Sequence, residues 1–284
     1  MNHVTNHNRI KTTGYCHLPG AADRQDIDFL SHRLDQLTDK LISDHQQGHQ
    51  ITDCCIIPIC TGNQKPQPAA FRINQLLAHD PILALYFLGH PAVISLGKKL
   101  CGENAVPIYL SAQFRTLGER NTINWHQDMV HDRQGPVYTV GLYLDDAKDL
   151  DGALRIIPGT QHSRANIAPL TNDCVNSQCI PARRGDIITH DVMLVHCSDN
   201  LTQMQRRRTL YVEFRSPEQA LKNTTMTRDW IKAQQNLLGR AESFYRRARK
   251  SQHLENTTFP ETITHPHATQ IRLEAANYCD RTNV

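Results

Sequence analysis

Two short stretches of the 284-residue chain carry side chains able to share one metal ion. In Trp125-His126-Gln127-Asp128 a histidine and a carboxylate stand two positions apart. On an extended strand such residues project from one face, so His126 and Asp128 can grip one cation together. The nearest comparable motif, His253-Leu254-Glu255, lies in a polar stretch with no strand after it. A third donor has to come from elsewhere. Residues 186–198, DIITHDVMLVHCS, read as one strand on which His190, His196 and Ser198 share a parity and hence a face. His196 falls toward its end and His190 deeper. Two histidines and one carboxylate make the facial set that leaves coordination positions open for oxygen chemistry.

For these residues to converge, strands must carry them. Residues 25–47 place Ile27, Leu30, Leu34, Leu37 and Leu41 at steps of three and four, which predicts an amphipathic helix packed on a sheet. Residues 50–70 read as a loop with a short strand at 55–59. Residues 72–90 and 91–102 read as two helices parted near Gly89-His90-Pro91, with Pro91 suited to a first helical position. From Ile108 the pattern changes to short β-rich runs at 108–115, 121–128, 137–145, 153–157, 178–181, 186–196 and 208–215, punctuated by turns such as Gly135-Pro136, Pro158-Gly159 and Gly185-Asp186. That punctuation predicts a sandwich or barrel. The expected organisation is a single domain over 1–250, with a helical part at 1–105, a β core at 106–216 and C-terminal helices at 217–250, followed by a polar tail at 251–284.

The balance of 31 basic and 28 acidic residues, net +3, argues against a nucleic-acid or membrane partner. The N-terminus lacks the apolar core of a secretory signal, and no apolar run approaches the ~18 residues of a membrane span. Nine cysteines, an odd number without a CxxC pair, fit free thiols in a reducing cytoplasm.

The Trp125–Asp128 run resembles the first iron motif of the phytanoyl-CoA dioxygenase family of Fe(II)/2-oxoglutarate-dependent dioxygenases. Residues 137–162, VYTVGLYLDDAKDLDGALRIIPGTQH, resemble its next block, in which an acidic turn and Gly152 lead to a Pro-Gly-Thr-x-His segment. Gly185-Asp186 then opens a strand ending in His196-Cys197-Ser198, and Arg207, eleven residues after His196, matches the family's 2-oxoglutarate arginine. With Gly14-Tyr15 and Leu18-Pro19-Gly20 ahead of a helix, the likeness spans roughly residues 12–215.

The resemblance implies a double-stranded β-helix, a cupin-like jelly roll with helices packed outside and a metal in its open mouth. It implies Fe(II) on His126, Asp128 and His196, with 2-oxoglutarate taking two of the three remaining positions and O2 the last. Arg207 would hold the distal carboxylate of the keto acid, and Ser198 would donate a further hydrogen bond. Gln113 and Thr139 are weaker candidates for its C1 end. Arg206, Arg207 and Arg208 are consecutive. Parity groups Arg207 with Thr209, Tyr211 and Glu213, and Arg208 with Leu210, Val212 and Phe214, but does not choose between them; only the family spacing selects Arg207. Gln127 points away from the ligands and Trp125 packs. His162 and His190 read as structural polar residues near the mouth. Cys197, where the family commonly has glycine, is expected to add bulk beside the metal; whether it shapes the pocket does not follow from the sequence.

The implied activity is hydroxylation of a small organic molecule. No long basic feature suited to an adenine nucleotide is evident. That favours a tailoring step on an alkaloid or similar secondary metabolite over an acyl-CoA or amino-acid-type substrate. A non-catalytic jelly roll that keeps a metal for stability would leave the open positions and the keto-acid arginine without purpose. A zinc hydrolase on the same ligands would lack a placed carboxylate as general base.

Overall fold

The computed structural model describes residues 9–60, 65–118, 123–129, 135–167, 169–170 and 176–251. The expected tail from 252 onward and the first two residues of the expected strand 121–128 lie outside these.

In chain order the elements are β1 (Tyr15–Leu18), α1 (Arg24–Gln46), β2 (Cys54–Ile59), β3 (Gln67–Ile73), α2 (Leu76–His79), α3 (Pro81–Leu88) and α4 (Pro91–Cys101). The β core follows as β4 (Val106–Thr116), β5 (Ile123–His126), β6 (Val137–Tyr143), β7 (Leu154–Ile156), β8 (Gln178–Ile180), β9 (Ile187–Asp191), β10 (His196–Ser198) and β11 (Arg206–Arg215). Helices α5 (Pro217–Ala220) and α6 (Arg228–Lys250) end the described chain. The long helices start where their sequences provide caps. Asp23 accepts from the Asp26 N–H at α1, and Thr227 from the Trp230 N–H at α6. Pro91 takes the first turn of α4.

Seven antiparallel strands form the larger sheet in the order β1-β9-β6-β11-β4-β3-β2, and four form the smaller one, β5-β10-β7-β8. Alternation divides the residues of the larger sheet between two faces. Ala112, Phe114, Val140, Leu142, Leu210 and Val212 face the helices and join Leu34, Phe87 and Leu238 in one apolar cluster. Tyr143 and Ile188, on the other face, meet Leu154, Ile156 and Ile180 of the smaller sheet. This is the expected jelly roll with helices outside, and the space between the sheets is where a site can form. The helices are tied by a buried carboxylate. Asp26 of α1 accepts from the hydroxyls of Tyr86 in α3 (2.8 Å) and Tyr245 in α6 (3.0 Å), with His90 Nε2 3.4 Å away.

Several expectations need correction. Residues 67–73 form β3, where loop and then helix were expected, and the following helices begin only at Leu76. Pro68 and the Ala69-Ala70 pair are poor strand markers; β3 exists because it pairs with β4 and with the edge strand β2, where Pro58 opposes Pro68. Residues 15–18, inside the part expected to be helical, form a strand that pairs with β9. The helical stretch 217–250 is interrupted at 221–227. Residues 186–198 are two strands in different sheets. Asp191 Oδ1 accepts from the Met193 N–H at 2.9 Å, an Asx turn that ends β9 and sends the chain across to β10.

Candidate active site

Strands β5 and β10 lie side by side in the smaller sheet, with His196 and His126 as direct cross-strand partners. Asp128 follows β5, fixed by its N–H to the Val192 carbonyl at 2.8 Å. One donor atom from each of His126, Asp128 and His196 lies within 4.8 Å of the other two. Asp128 Oδ1 is 3.4 Å from His126 Nε2 and 3.8 Å from His196 Nε2.

The tautomers follow from the neighbours. His126 Nδ1 lies 2.8 Å from the Asn124 carbonyl and His196 Nδ1 2.9 Å from the Leu194 carbonyl. A carbonyl only accepts, so each Nδ1 carries the hydrogen and each Nε2 offers its lone pair to a metal. Burial, aided by His126, pushes the His196 imidazole down to about 3, which keeps it neutral. Burial alone would raise the Asp128 carboxyl, yet it lies well below the usual carboxylate range, and His190 Nε2, 3.4 Å from Oδ2, is the ring nitrogen placed to donate to it. Two imidazoles and one carboxylate suit a divalent first-row cation, ferrous iron among them.

His190 was expected to be a structural histidine. It is 4% exposed, and its Nε2 lies 3.4 Å from Asp128 Oδ2, with its ring 4.6 Å from that of His196. The parity once shared by His190, His196 and Ser198 on a single strand does not apply, because β9 and β10 belong to opposite sheets. His190 approaches the cluster from across the interior.

Gln127 turns away from the ligands, as expected, and acts as a staple. Its amide donates to the carbonyls of Met193 (2.5 Å) and Ser163 (3.0 Å) and accepts from the Ala165 N–H (3.0 Å). Trp125 packs with Val195 and Cys197 behind the smaller sheet. Cys197 therefore packs away from the donor cluster, which corrects the expectation that it adds bulk beside the metal. Its neighbour Ser198 shares the inner face with His196. His162 is exposed and meets Gln161.

The three arginines at the start of β11 separate by face. Arg206 is exposed and pairs with Asp35. Arg208 turns toward the helices, donating to Asp145 through Nε and Nη2 at 2.8 Å each and to Asp35 at 2.7 Å. Arg207 points between the sheets. It is 1% exposed, its Nη1 donates to the Gly152 carbonyl at 2.6 Å, and its guanidinium lies 5.7 Å from the centre of the Tyr143 ring. Arg207 Nε and Ser198 Oγ are buried without a hydrogen-bond partner among the described residues. Orphaned buried polar atoms are costly, and a buried guanidinium with an idle N–H fits a carboxylate ligand.

Register orders the remaining inner-face residues. Thr139 is the partner of His190 and of Glu213, level with the metal ligands. Gln113 is the partner of Thr209, one inward position from Arg207. The two were expected together at the C1 end of a keto acid; only Thr139 is level with the metal ligands. Between the levels, Gly141 leaves room for Tyr211, whose ring would lie 2.5 Å from a Cβ at that position. Burial first, and Tyr211 second, raise Tyr143 well above the usual phenol range, so it stays a neutral hydroxyl.

Fold and donor set together define a jelly-roll metalloprotein of the non-haem oxygenase class. A profile of the phytanoyl-CoA dioxygenase (PhyH) family matches residues 69–209, a span that includes His126, Asp128, His196 and Arg207. Over these residues the chain is similar to the phytanoyl-CoA dioxygenase-like family of Fe(II)/2-oxoglutarate-dependent oxygenases. L-proline trans-4-hydroxylase of Streptomyces griseoviridis is 29% identical over 79 residues, 26% of this chain and 30% of that enzyme's length. AviO1 from Streptomyces viridochromogenes Tue57 shares the fold with a TM-score of 0.63 at 22% identity, over 76% of this chain and 96% of its own. EvdMO1 gives 0.61 at 26% identity, over 75% and 50%. EctD from S. alaskensis, solved with bound Fe, gives 0.59 at 15%, over 77% and 78%.

Proposed function

We propose that the protein is an Fe(II)/2-oxoglutarate-dependent dioxygenase that hydroxylates a small organic molecule, with His126, Asp128 and His196 as the iron ligands. The observation that carries this reading is Arg207. It is buried between the sheets with an unpartnered Nε, while its neighbour Arg208 is saturated by two carboxylates. A metal-binding barrel with a purely structural ion has no use for such a group.

Iron in this setting supplies the oxidising chemistry, coupled to conversion of the keto acid to succinate and carbon dioxide. The chain's own residues position and protect. Arg207 and Ser198 hold the distal carboxylate of 2-oxoglutarate, and Thr139 borders its metal-proximal end. Gln113 supports the distal end rather than the C1 end. Tyr143, neutral and packed under Arg207, and the Leu154–Ile156 strand keep water from the deep part of the interior.

For the substrate, we infer a small natural product modified in a tailoring step. A second reading, an amino-acid-type substrate, has a specific observation in its favour. Glu213 and Arg215 lie on the inner-facing parity of β11 with Glu213 level with Thr139, and Arg215 Nε donates to Glu213 Oε1 at 2.6 Å. Such a pair offers one partner to an amino group and one to a carboxylate, and the partial relative is a proline hydroxylase. The test is succinate release by the Fe(II)-loaded protein with 2-oxoglutarate and O2, screened over secondary metabolites, free amino acids and acyl-CoA thioesters. Substrate-stimulated succinate is expected from one class. Turnover with zinc and no keto acid would overturn the assignment.

A further inference from the structure

We propose that His190 is a positioning residue for Asp128, donating from Nε2 to Oδ2 so that only Oδ1 is presented to the metal. This rests on the iron reading above and goes beyond the three ligands. The two oxygens of Asp128 have different neighbours. Oδ1 faces both ligand histidines, at 3.4 Å from His126 Nε2 and 3.8 Å from His196 Nε2. Oδ2 faces His190 Nε2 at 3.4 Å. His190 comes from β9 in the larger sheet, while the other two histidines come from the smaller one.

The consequence is one of coordination number. An aspartate can bind through one oxygen or two. With two, it would leave only two of six octahedral positions, enough for the keto acid but not for oxygen as well. A donor fixed on Oδ2 holds the carboxylate to one oxygen and keeps three positions open. Packing also favours the assignment. A ring 4% exposed in the interior needs an acceptor for its N–H, and the carboxylate is the acceptor within reach. Residues around a metal ligand commonly act in this way, and losing one typically costs about 10- to 100-fold in metal affinity or activity.

The experiment compares the wild type with His190→Gln, which keeps a donor, and His190→Phe, which keeps ring bulk without one. Co(II) is titrated by its visible absorption. 2-Oxoglutarate is titrated into the anaerobic Fe(II) protein by the charge-transfer band. We expect the Phe variant to lose about 10- to 100-fold in Co(II) affinity and to bind the keto acid more weakly, with the Gln variant restoring most of both. Should the Phe variant not fold, His190→Asn, polar but a carbon shorter than Gln, takes its place. Variants that bind like the wild type, or a Gln variant that loses as much as Phe, would overturn the role. A wild type that binds no divalent ion would instead overturn the functional reading, and the inference with it.

Discussion

Arg206, Arg207 and Arg208 occupy three environments within one strand: solvent, interior and helix interface. Their expected losses differ in kind. A charge-assisted hydrogen bond contributes about 1.5–3 kcal/mol, so Arg207→Ala should weaken 2-oxoglutarate binding by roughly 10- to 150-fold. Arg208→Ala removes the partner of a largely buried carboxylate and should cost stability, about 3–5 kcal/mol, with little direct effect on the keto acid. Arg206→Ala should do little in either assay, since exposed pairs are worth roughly 0–1 kcal/mol. Anaerobic keto-acid titration and urea denaturation of the three variants separate these outcomes. In the sequence both faces of β11 carried plausible partners, so parity could group the arginines but not say which group faced inward. The helix-facing cluster of Leu210, Val212 and Phe214 supplies that answer, and it exists only once α1, α3 and α6 are packed.

At the scale of elements, the hydroxyls of Tyr86 and Tyr245 and the nearby His90 make Asp26 the point where three helices meet. Burial tends to raise its carboxyl, yet the hydrogen bonds from His90 and Tyr86 outweigh this and leave it below the ordinary value. A folded-state value below the unfolded one of ~3.9 means that the unfolded chain takes up more protons in acid. The stabilisation is therefore complete above about pH 4 to 5 and is lost as pH falls through the folded value. Asp26→Ala should cost about 1–3 kcal/mol for each buried hydroxyl left without its acceptor near neutrality, and the gap to the wild type should narrow below about pH 4. Thermal unfolding across pH measures both. Element boundaries also explain what the sequence left hidden. The donor pair His126 and Asp128 was visible because two-residue spacing on a strand is local. His190 was not, because Asp191 ends β9 and its histidine reaches Asp128 from the facing sheet, a contact spanning 62 residues. β3 was equally hidden, being a strand by its neighbours rather than by its residues.

For the whole molecule, the site joins the two sheets. His126 and His196 lie on the smaller one with Asp128 just past its edge, while His190 and Arg207 lie on the larger. An ion and a keto acid that bind only the folded state stabilise it by mass action, about 2.7 kcal/mol for a ligand at a hundred times its dissociation constant. At about 2–4 °C per kcal/mol for a chain approaching this size, Co(II) and then 2-oxoglutarate, each at about a hundred times its dissociation constant, should each raise the melting temperature by roughly 5–10 °C over the chelated protein. The Arg207→Ala variant should keep the increment due to the metal and lose that due to the keto acid. No shift with either ligand would show that the donors do not form a working site. Among the described residues no single helix is long and apolar enough to cross a membrane, and no described cysteine is in a disulfide.

His126 and His196 are direct partners on strands of four and three residues. Strands this short have few ladder bonds with which to fix their own alignment. A slip of one residue would turn His196 to the outer face and bring Cys197 inward. Only the correct alignment can load metal, so loading proofreads the pairing and then clasps it shut. Amide hydrogen exchange should show this directly. In the chelated protein β5 and β10 should exchange well before β6 and β11, and Co(II) should slow the first pair while leaving the second unchanged.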